Sequence, residues 1–153
     1  MITEMTDLEC RALLASETLG RLGCSRGDQA YVVPISYVFE QGTIYAFSSI
    51  GQKIAWMREN PRVCLQVDRI RTRLDWVSTI VFGRFEGIPD DEAHARERDA
   101  VWEILKQRPN WWEPAFTATV KGGVERRMQP VYFRIRIETL TGCRMSADTP
   151  FQA

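Results

Sequence analysis

Residues able to bind an anion follow one another near the middle of the chain, in the run Ser48-Ser49-Ile50-Gly51-Gln52-Lys53. The run Thr43–Phe47 before it is rich in β-forming residues. A short helix is predicted from about Lys53 to Asn60, because Pro61 disfavours the α conformation in the residue before it. Serine hydroxyls, free backbone N–H groups, the positive end of a helix dipole and a lysine would then meet, and we expect them to bind a phosphate.

Each of these residues also has a purely structural explanation. Ser48 and Ser49 can cap the short helix, Lys53 can be a solvated helical residue, and Pro34 can mark a strand edge or bulge. One by one, these explanations are at least as good as the functional one. Their occurrence together in one hairpin, loop and helix favours a binding site.

A β-hairpin is predicted directly before the loop. Its two arms are Tyr31–Phe39 and Thr43–Phe47, and the gap Glu40-Gln41-Gly42 contains a glycine that can adopt the positive φ of a tight turn. Four further runs have β-type composition or alternation, and they are Arg21–Ser25, Val63–Asp68, Trp76–Glu86 and Val131–Glu138. The sequence therefore predicts six strands.

Two longer helices flank these strands. The first opens with a capping box, Thr6 to Glu9, and ends at Gly20. The residues predicted to share its buried face are Leu8, Ala12, Ala15 and Leu19. The second begins after Pro89 and ends before Pro109, and its many charges place it on the outside. Six strands without a repeated β-helix-β rhythm exclude a Rossmann sheet and indicate one domain, residues 1–153: mainly β with α, an antiparallel barrel with helices packed outside.

Composition excludes several classes of protein. Twenty basic and twenty acidic side chains cancel, so no broad positive surface is expected for nucleic acid or an anionic membrane. The N-terminus has no signal-peptide pattern and no run approaches the roughly 20 apolar residues that span a bilayer. The four cysteines lie far apart and His94 is the single histidine, so neither a disulfide nor a metal site is expected. We expect a cytoplasmic protein.

The anion-binding run is part of a longer resemblance. The stretch YAFSSIGQKIAWMRENPRVCLQVD resembles a segment of the FMN-binding split barrels, the pyridoxamine 5'-phosphate oxidase-like family. Pro34-Ile35-Ser36 looks like the strand beside the flavin ring in that family, and Trp76–Arg84 looks like a later strand. The ordered match extends over roughly Leu8–Gly142 and is closest in character to the short flavin-nucleotide-binding and nitroimidazole-resistance branch.

The resemblance implies a six-stranded antiparallel split β-barrel that binds FMN at a homodimer interface and acts as an oxidoreductase on a small molecule. It identifies no catalytic residue. The cofactor-binding residues that it implies are Pro34, Ile35, Ser36, Phe47, Ser48, Ser49, Gln52, Lys53, Ser78, Ile80 and Val81.

The chain lacks sequence features of two groups of proteins in that family. Its early strand is apolar and its C-terminus lacks the Trp of the pyridoxamine phosphate oxidases, while Phe47-Ser48 replace a His of many nitroimidazole-resistance proteins. A non-catalytic flavin- or haem-binding carrier or sensor, and a structural dimer without cofactor, are the alternatives. Trp111 and Trp112 can serve packing or line a pocket, and the three arginines of Arg69–Arg73 can be solvated or contact an anion, the former being favoured.

Overall fold

A computed structural model of the chain describes residues 1–108, 119–126 and 130–146. Within these ranges the helices are α1 (Asp7–Ser16), α2 (Gln52–Glu59) and α3 (Ala95–Leu105), the last preceded by a 3-10 turn, Glu92–His94. The strands are β1 (Ile2–Glu4), β2 (Leu19–Arg26), β3 (Gln29–Ser36), β4 (Val38–Glu40), β5 (Thr43–Ser49), β6 (Arg62–Thr72), β7 (Asp75–Gly87), β8 (Thr119–Lys121), β9 (Val124–Arg126) and β10 (Pro130–Met145). Trp111 and Trp112 lie outside the described residues.

One antiparallel sheet of eight strands dominates the described residues. Its order is β3-β2-β6-β7-β10-β5-β4, and β1 pairs with β10, while β8 and β9 form a separate hairpin. All six predicted β runs are strands. The predicted run Tyr31–Phe39 is divided at Tyr37 into β3 and β4, and the short β1 brings the sheet to eight strands rather than six.

The division at Tyr37 makes the sheet a split barrel. β3 and β4 lie at opposite edges of the sheet, yet only Tyr37 separates them in the chain, so the sheet must curl until these edges meet. Tyr37 is fully buried at this corner, where its hydroxyl donates to the Leu14 carbonyl at 2.7 Å and its N–H donates to the Thr18 carbonyl at 3.1 Å. β3 therefore pairs with β2 and not with β5, which corrects the predicted hairpin for its first arm.

The remaining part of the hairpin is as predicted. β4 pairs with β5 in the register Glu40 to Thr43, so Gln41 and Gly42 form a two-residue turn. Both have positive φ, 48° and 77°. Two positive φ values are the pattern of the turn whose twist matches that of the flanking strands.

Helix α1 has the predicted N-terminus but not the predicted buried face. The Thr6 hydroxyl accepts from the Glu9 N–H, and the Glu9 carboxylate accepts from the Thr6 N–H at 2.8 Å, which is the capping box. The helix ends at Ser16, and Leu8 is 78% exposed. The residues that it buries are Cys10, Leu13 and Leu14. Leu19 belongs to β2, and Ala12 and Ala15 are exposed like Leu8, so the predicted buried face of α1 is wrong. The buried face is set by the packing of α1 against the barrel.

The main core fills the barrel, and α3 packs outside it. Ile35, Leu65 and Phe133 are fully buried in the central cluster. A second cluster joins Val101 and Leu105 of α3 to strands β4 and β5. The helix is thus outside the barrel, as predicted.

The arginines of the predicted connector serve the fold. β6 extends through Thr72, so most of the connector is strand. Arg69 pairs with Glu17 at 2.5 Å and Arg71 pairs with Asp75 at 3.6 Å. These pairs agree with the structural explanation of the run.

Candidate functional site

The junction between β5 and α2 is fixed by pairing on one side and packing on the other. Ser48 and Ser49, at the end of β5, pair with Val131 and Pro130 of β10. Helix α2 begins at Gln52 and packs against β2, with the ring of Trp56 at 5.7 Å from that of Tyr31 on β3. Because β5 and β3 lie on opposite sides of the split, the loop between β5 and α2 crosses that split.

The serine at the end of β5 has an unsatisfied hydroxyl. Ser48 alternates with Ile44 and Ala46, two core residues, so its side chain faces the barrel interior. It is 0% exposed, and its Oγ has no hydrogen-bond partner among the described residues. A buried hydroxyl without a partner costs about 1–3 kcal/mol. Such an atom is expected where a ligand supplies the missing bond.

The other groups of the predicted anion site surround the start of α2. Its N-cap, Gly51, provides no side-chain cap, and no acidic residue lies in the first turn. Ser49 is buried, Gln52 is exposed, and Lys53 in the first turn is only 9% exposed. Helix α2 thus starts a few residues after Ser48 with an uncapped N-terminus and a nearly buried lysine in its first turn, and such groups are those of a phosphate site.

The charge of Lys53 also acts on a neighbouring thiol. Burial raises the pKa of Cys24 on β2, and the nearby Cys64 raises it further. The Lys53 ammonium group acts in the opposite direction, but the pKa of Cys24 remains above its ordinary value. The Lys53 ammonium group is therefore near Cys24 of β2.

The predicted ring-binding residues of β3 differ in their exposure. Pro34 is exposed, whereas Ile35 is fully buried in the core. Ser36 is buried, and its hydroxyl donates to the Thr18 carbonyl at 3.5 Å. Pro34 therefore offers its side chain to a ligand on the outer face of the sheet, whereas Ile35 can offer backbone atoms only.

Phe47 lies under α3. Its ring is 5.2 Å from that of Tyr132 and 5.9 Å from that of Trp102. This places the side chain in the second apolar cluster, on the face of β5 opposite to Ser48. A contact from Phe47 to a ligand at the Ser48 hydroxyl would thus come from its backbone.

The predicted residues of β7 belong to both faces of the sheet. Val81 is in the core, whereas Ile80 and Ser78 face outward. Ser78 accepts a hydrogen bond from Gln66 at 3.0 Å, and with Ile80 it lines a cavity of about 490 Å³. Along β10, Ser78 pairs with Cys143 and Ser48 with Val131, so the two serines adjoin different stretches of one strand.

Comparison with known proteins identifies the family. The family described as Pyridoxamine 5'-phosphate oxidase matches residues 6–144. The chain belongs to this family. An uncharacterized protein of Rhizobium meliloti is 37% identical over 138 residues, which are 90% of this chain and 91% of that protein.

Two solved structures have the fold of this pyridoxamine 5'-phosphate oxidase family member. A protein of Mesorhizobium loti described as FAD-binding superimposes with a TM-score of 0.80 at 38% identity, covering 95% of this chain and 98% of that one. A FAD-binding protein of Mycobacterium smegmatis has a TM-score of 0.65 at 21% identity, covering 94% and 98%, and this second likeness shows the fold alone. The family and the split barrel predicted from the sequence are confirmed.

This family member has a further cavity that the sequence did not reveal. It measures about 600 Å³ and adjoins the anion site, because Val131 and Pro130, the strand partners of Ser48 and Ser49, belong to its wall. The residues around it are Ile50, Arg58, Gly87, Ile88, Pro89, Asp90, Arg98, Pro130, Val131 and Tyr132. They come from four separate segments, so no local pattern could have indicated them.

The outer face of the sheet is apolar where four strands lie side by side. Val32, Gly23, Cys64 and Phe82 are in register across β3, β2, β6 and β7. Val32 is 68% exposed and Phe82 is 49% exposed. These residues line a groove of about 480 Å³. An exposed apolar sheet face of this kind is typical of a protein interface.

The described residues contain neither a grouped metal site nor a helix that could span a membrane. Within residues 1–108, 119–126 and 130–146, no three His, Cys, Asp or Glu side chains are grouped as a metal site. His94, in this part of the chain, has its Nδ1 at 2.6 Å from the Asp91 carboxylate. None of the helices in these same ranges has the length and apolarity required to cross a membrane.

Proposed function

We propose that this protein is an FMN-dependent oxidoreductase acting on a small molecule, with the flavin bound at a homodimer interface. The observation that carries the proposal is the buried, unpartnered hydroxyl of Ser48 beside the uncapped start of α2 and the buried Lys53. A family match over residues 6–144 and a 38% identical protein described as FAD-binding support a flavin as the ligand.

The phosphate is proposed to bind at the junction of β5 and α2. Ser48 and Ser49 donate hydroxyl hydrogen bonds, Lys53 adds a charge-assisted bond, and Gln52 contributes from the first turn. The residues proposed to border the ring system are Pro34, Ile35, Ser36, Phe47, Ser78, Ile80 and Val81. Ile35, Phe47 and Val81 do so through backbone atoms, because their side chains lie in the two apolar clusters.

The cofactor supplies hydride transfer when bound, and the chain supplies binding and exclusion of water. Exposed Pro34 and Ile80 provide apolar surface at the two ends of one row across the sheet, and the polar side chains of Arg21 and Gln66 lie between them. A planar apolar ring lying on this row would bury surface on one side only. A partner covering the other side would complete the slot for a small substrate.

A second copy of the chain is the proposed cover. The exposed apolar residues of the outer face favour association, and two-fold symmetry would then create two equivalent flavin sites. We propose a cytoplasmic location, where the free cysteines Cys10, Cys24, Cys64 and Cys143 stay reduced.

Absorption spectroscopy of the purified protein tests the function. Flavin bands that bleach with NADH or NADPH and return with an added electron acceptor are expected. Chromatography of the released cofactor identifies FMN or FAD. Flavin bands without turnover would establish a carrier or sensor instead, and a Soret band would establish a haem protein. A colourless protein that ignores added flavin would disprove the proposal.

Removing the Ser48 hydroxyl should raise the stability of the ligand-free protein and weaken its binding of flavin. Ser48→Ala is expected to stabilise the ligand-free protein by about 1 kcal/mol, because a buried hydroxyl without a partner disappears. The same change should weaken FMN binding. Thermal unfolding and flavin titration measure the two effects.

A buried hydroxyl that has a partner provides the control. Thr79 is fully buried, and its Oγ1 donates to the Thr141 carbonyl at 2.7 Å. Thr79→Val should therefore destabilise the protein by about 1 kcal/mol, opposite in sign to Ser48→Ala. A Ser48→Ala protein that is destabilised to the same degree would show that the hydroxyl is satisfied within the chain.

Disrupting the outer face should weaken self-association. Phe82→Glu places a charge beside Cys64, in the groove that Val32 also lines, and is expected to weaken the dimer by about 1–2 kcal/mol without unfolding the protomer. Light scattering over a concentration series gives the mass. Leu8→Glu, at an exposed apolar residue on α1, is the control. A wild-type protein of 17.7 kDa at all concentrations would contradict the dimer.

A further inference from the structure

The cavity of about 490 Å³ begins where the proposed binding surface for the flavin ring ends. Ser78 and Ile80 of β7, which are proposed to border the ring, belong to its wall. The row that starts at Pro34 on β3 reaches Ile80, and strands β10 and β1 continue the sheet beyond β7. A molecule in this cavity would therefore lie next to the proposed ring.

One row of paired residues crosses the cavity from β7 to β1. Ser78 pairs with Cys143 of β10, Cys143 pairs with Glu4 of β1, and all three line the cavity. Residues paired across antiparallel strands share a face of the sheet. Because neighbouring strands lie about 4.8 Å apart, Glu4 is about 10 Å from Ser78 along this row. The row has the length of a small aromatic molecule with a short side chain, and it ends at a carboxylate.

Glu4 gives the cavity a negative charge. It is the one charged side chain in the described wall, it is exposed, and it has no ion pair in the part of the chain that the structure describes. Arg144 follows Cys143 in β10, so its side chain belongs to the opposite face, where it pairs with Glu9. The Glu4 carboxylate therefore remains available to a positively charged ligand.

The rest of the wall favours an aromatic or aliphatic body. Trp76 and Ile80 lie two residues to either side of Ser78, on the same face of β7, and Met5 and Leu140 also line the cavity. An indole ring contributes apolar surface and also attracts a cation to its face. A volume of about 490 Å³ lies within the ~300–1,000 Å³ range of small-molecule sites. An apolar molecule with a positive charge at one end matches this combination.

We propose that this cavity binds the substrate of the enzyme, and that the substrate is a small aromatic or aliphatic amine in its protonated form. Its ammonium group pairs with Glu4, and its apolar body packs against Trp76 and Ile80, next to the flavin ring. This inference rests on the proposed function and names the substrate class of the same site. Selection depends on the charge of Glu4, so an anion of the same shape is rejected.

Three probes of one shape and different charge test the selection. Phenylpropylammonium is a cation, phenylpropanol is neutral and phenylpropanoate is an anion at neutral pH. In isothermal titrations of the full-length protein, with and without flavin, the cation is expected to bind about tenfold more tightly than the anion, with the alcohol between them. Equal affinity for the three probes, or tightest binding of the anion, would overturn the proposal.

Glu4→Gln keeps the size of the side chain and removes its charge. It should lower the affinity for phenylpropylammonium about three- to fivefold and leave that for phenylpropanol within about twofold. Glu40→Gln is the matched control, because Glu40 is also an exposed glutamate at the end of a three-residue strand but lies outside the described wall. Neither affinity should change in it. Thermal unfolding verifies that both variants fold, and an equal effect of the two changes would overturn the role of Glu4.

The flavin reports whether the bound cation is its neighbour. Phenylpropylammonium should shift the flavin absorption bands of the flavin-loaded protein, and Glu4→Gln should require a higher concentration for the same shift. A saturated cation site with an unaltered flavin spectrum would overturn the assignment to the substrate. Failure of the wild type to bind flavin would refute the proposed function itself, whereas the titrations without flavin would still decide whether the cavity selects a cation.

Discussion

Gly83→Ala is expected to destabilise the protein by about 3 kcal/mol, the upper end of the usual cost of overpacking. Gly83 lies in β7 between Val63 of β6 and Ile137 of β10. A Cβ added there would overlap the Arg136 carbonyl oxygen and approach Ile135 Cγ2 to 2.8 Å. The overlap with backbone cannot be relieved by a side-chain rotation, so the central strands must separate.

Thermal unfolding measures this effect, and a second glycine of the same strand controls for backbone entropy. About 3 kcal/mol corresponds to a decrease in Tm of about 6–12 °C for a domain of this size. Gly87 pairs with Phe133 in β10, and a Cβ there would meet nothing within 4 Å. Gly87→Ala should change Tm little. Similar Tm values for the two variants would show that β10 does not approach Gly83 so closely.

Close approach at Gly83 depends on a feature that no local pattern encodes. The register of β7 with β10 shifts between Ile137 and Thr139, and this irregularity lies beside Gly83. The alternation of Val131–Glu138 predicted the buried Phe133 and Ile135 correctly, because it reflects one face of one strand. Which strand packs against a glycine is decided by pairing between distant parts of the chain.

Local signals were sufficient for one turn and for two helix ends, whereas the predicted end of the first helix at Gly20 was wrong, because α1 ends at Ser16. Gly42 with positive φ, the capping box at Thr6 and the end of α2 before Pro61 each involve neighbours in the sequence, and each was predicted. The division at Tyr37 was not, because β propensity is the same on both sides of it. Only the choice of partners, β2 for one part and β5 for the other, separates the two strands.

The candidate site, too, could be predicted only where its residues are close in sequence. Ser48 and Lys53 are close in sequence, so their meeting at one junction was foreseeable, and the alternation with Ile44 could have shown that Ser48 faces inward. Arg58 and Tyr132 line the same cavity although almost half the chain separates them in sequence. Their meeting depends on the pairing of β5 with β10, which the sequence did not reveal.

Lys53→Ala is expected to weaken FMN binding by about 1.5–3 kcal/mol, or roughly 10- to 150-fold in Kd. Lys53 is nearly buried at the start of α2, where no acidic side chain shares the first turn. Its bond to a phosphate would therefore be poorly screened by water, which makes it stronger than a surface pair. Isothermal titration with FMN measures the loss.

The matched control is a lysine that pairs on the surface. Lys106, directly after α3, lies 2.7 Å from the Glu103 carboxylate, and its side chain is 42% exposed. Lys106→Ala removes the same formal charge from the protein but should leave the Kd for FMN unchanged, since it faces solvent away from the junction. The two variants also differ in salt dependence: added salt should weaken FMN binding to the wild type and to Lys106→Ala, and less so to Lys53→Ala, because the screened interaction has been removed. An unchanged Kd in Lys53→Ala would place the phosphate elsewhere. A phosphate bound by the Lys53 ammonium group would lose a charge-assisted bond in this variant, and its affinity would change measurably.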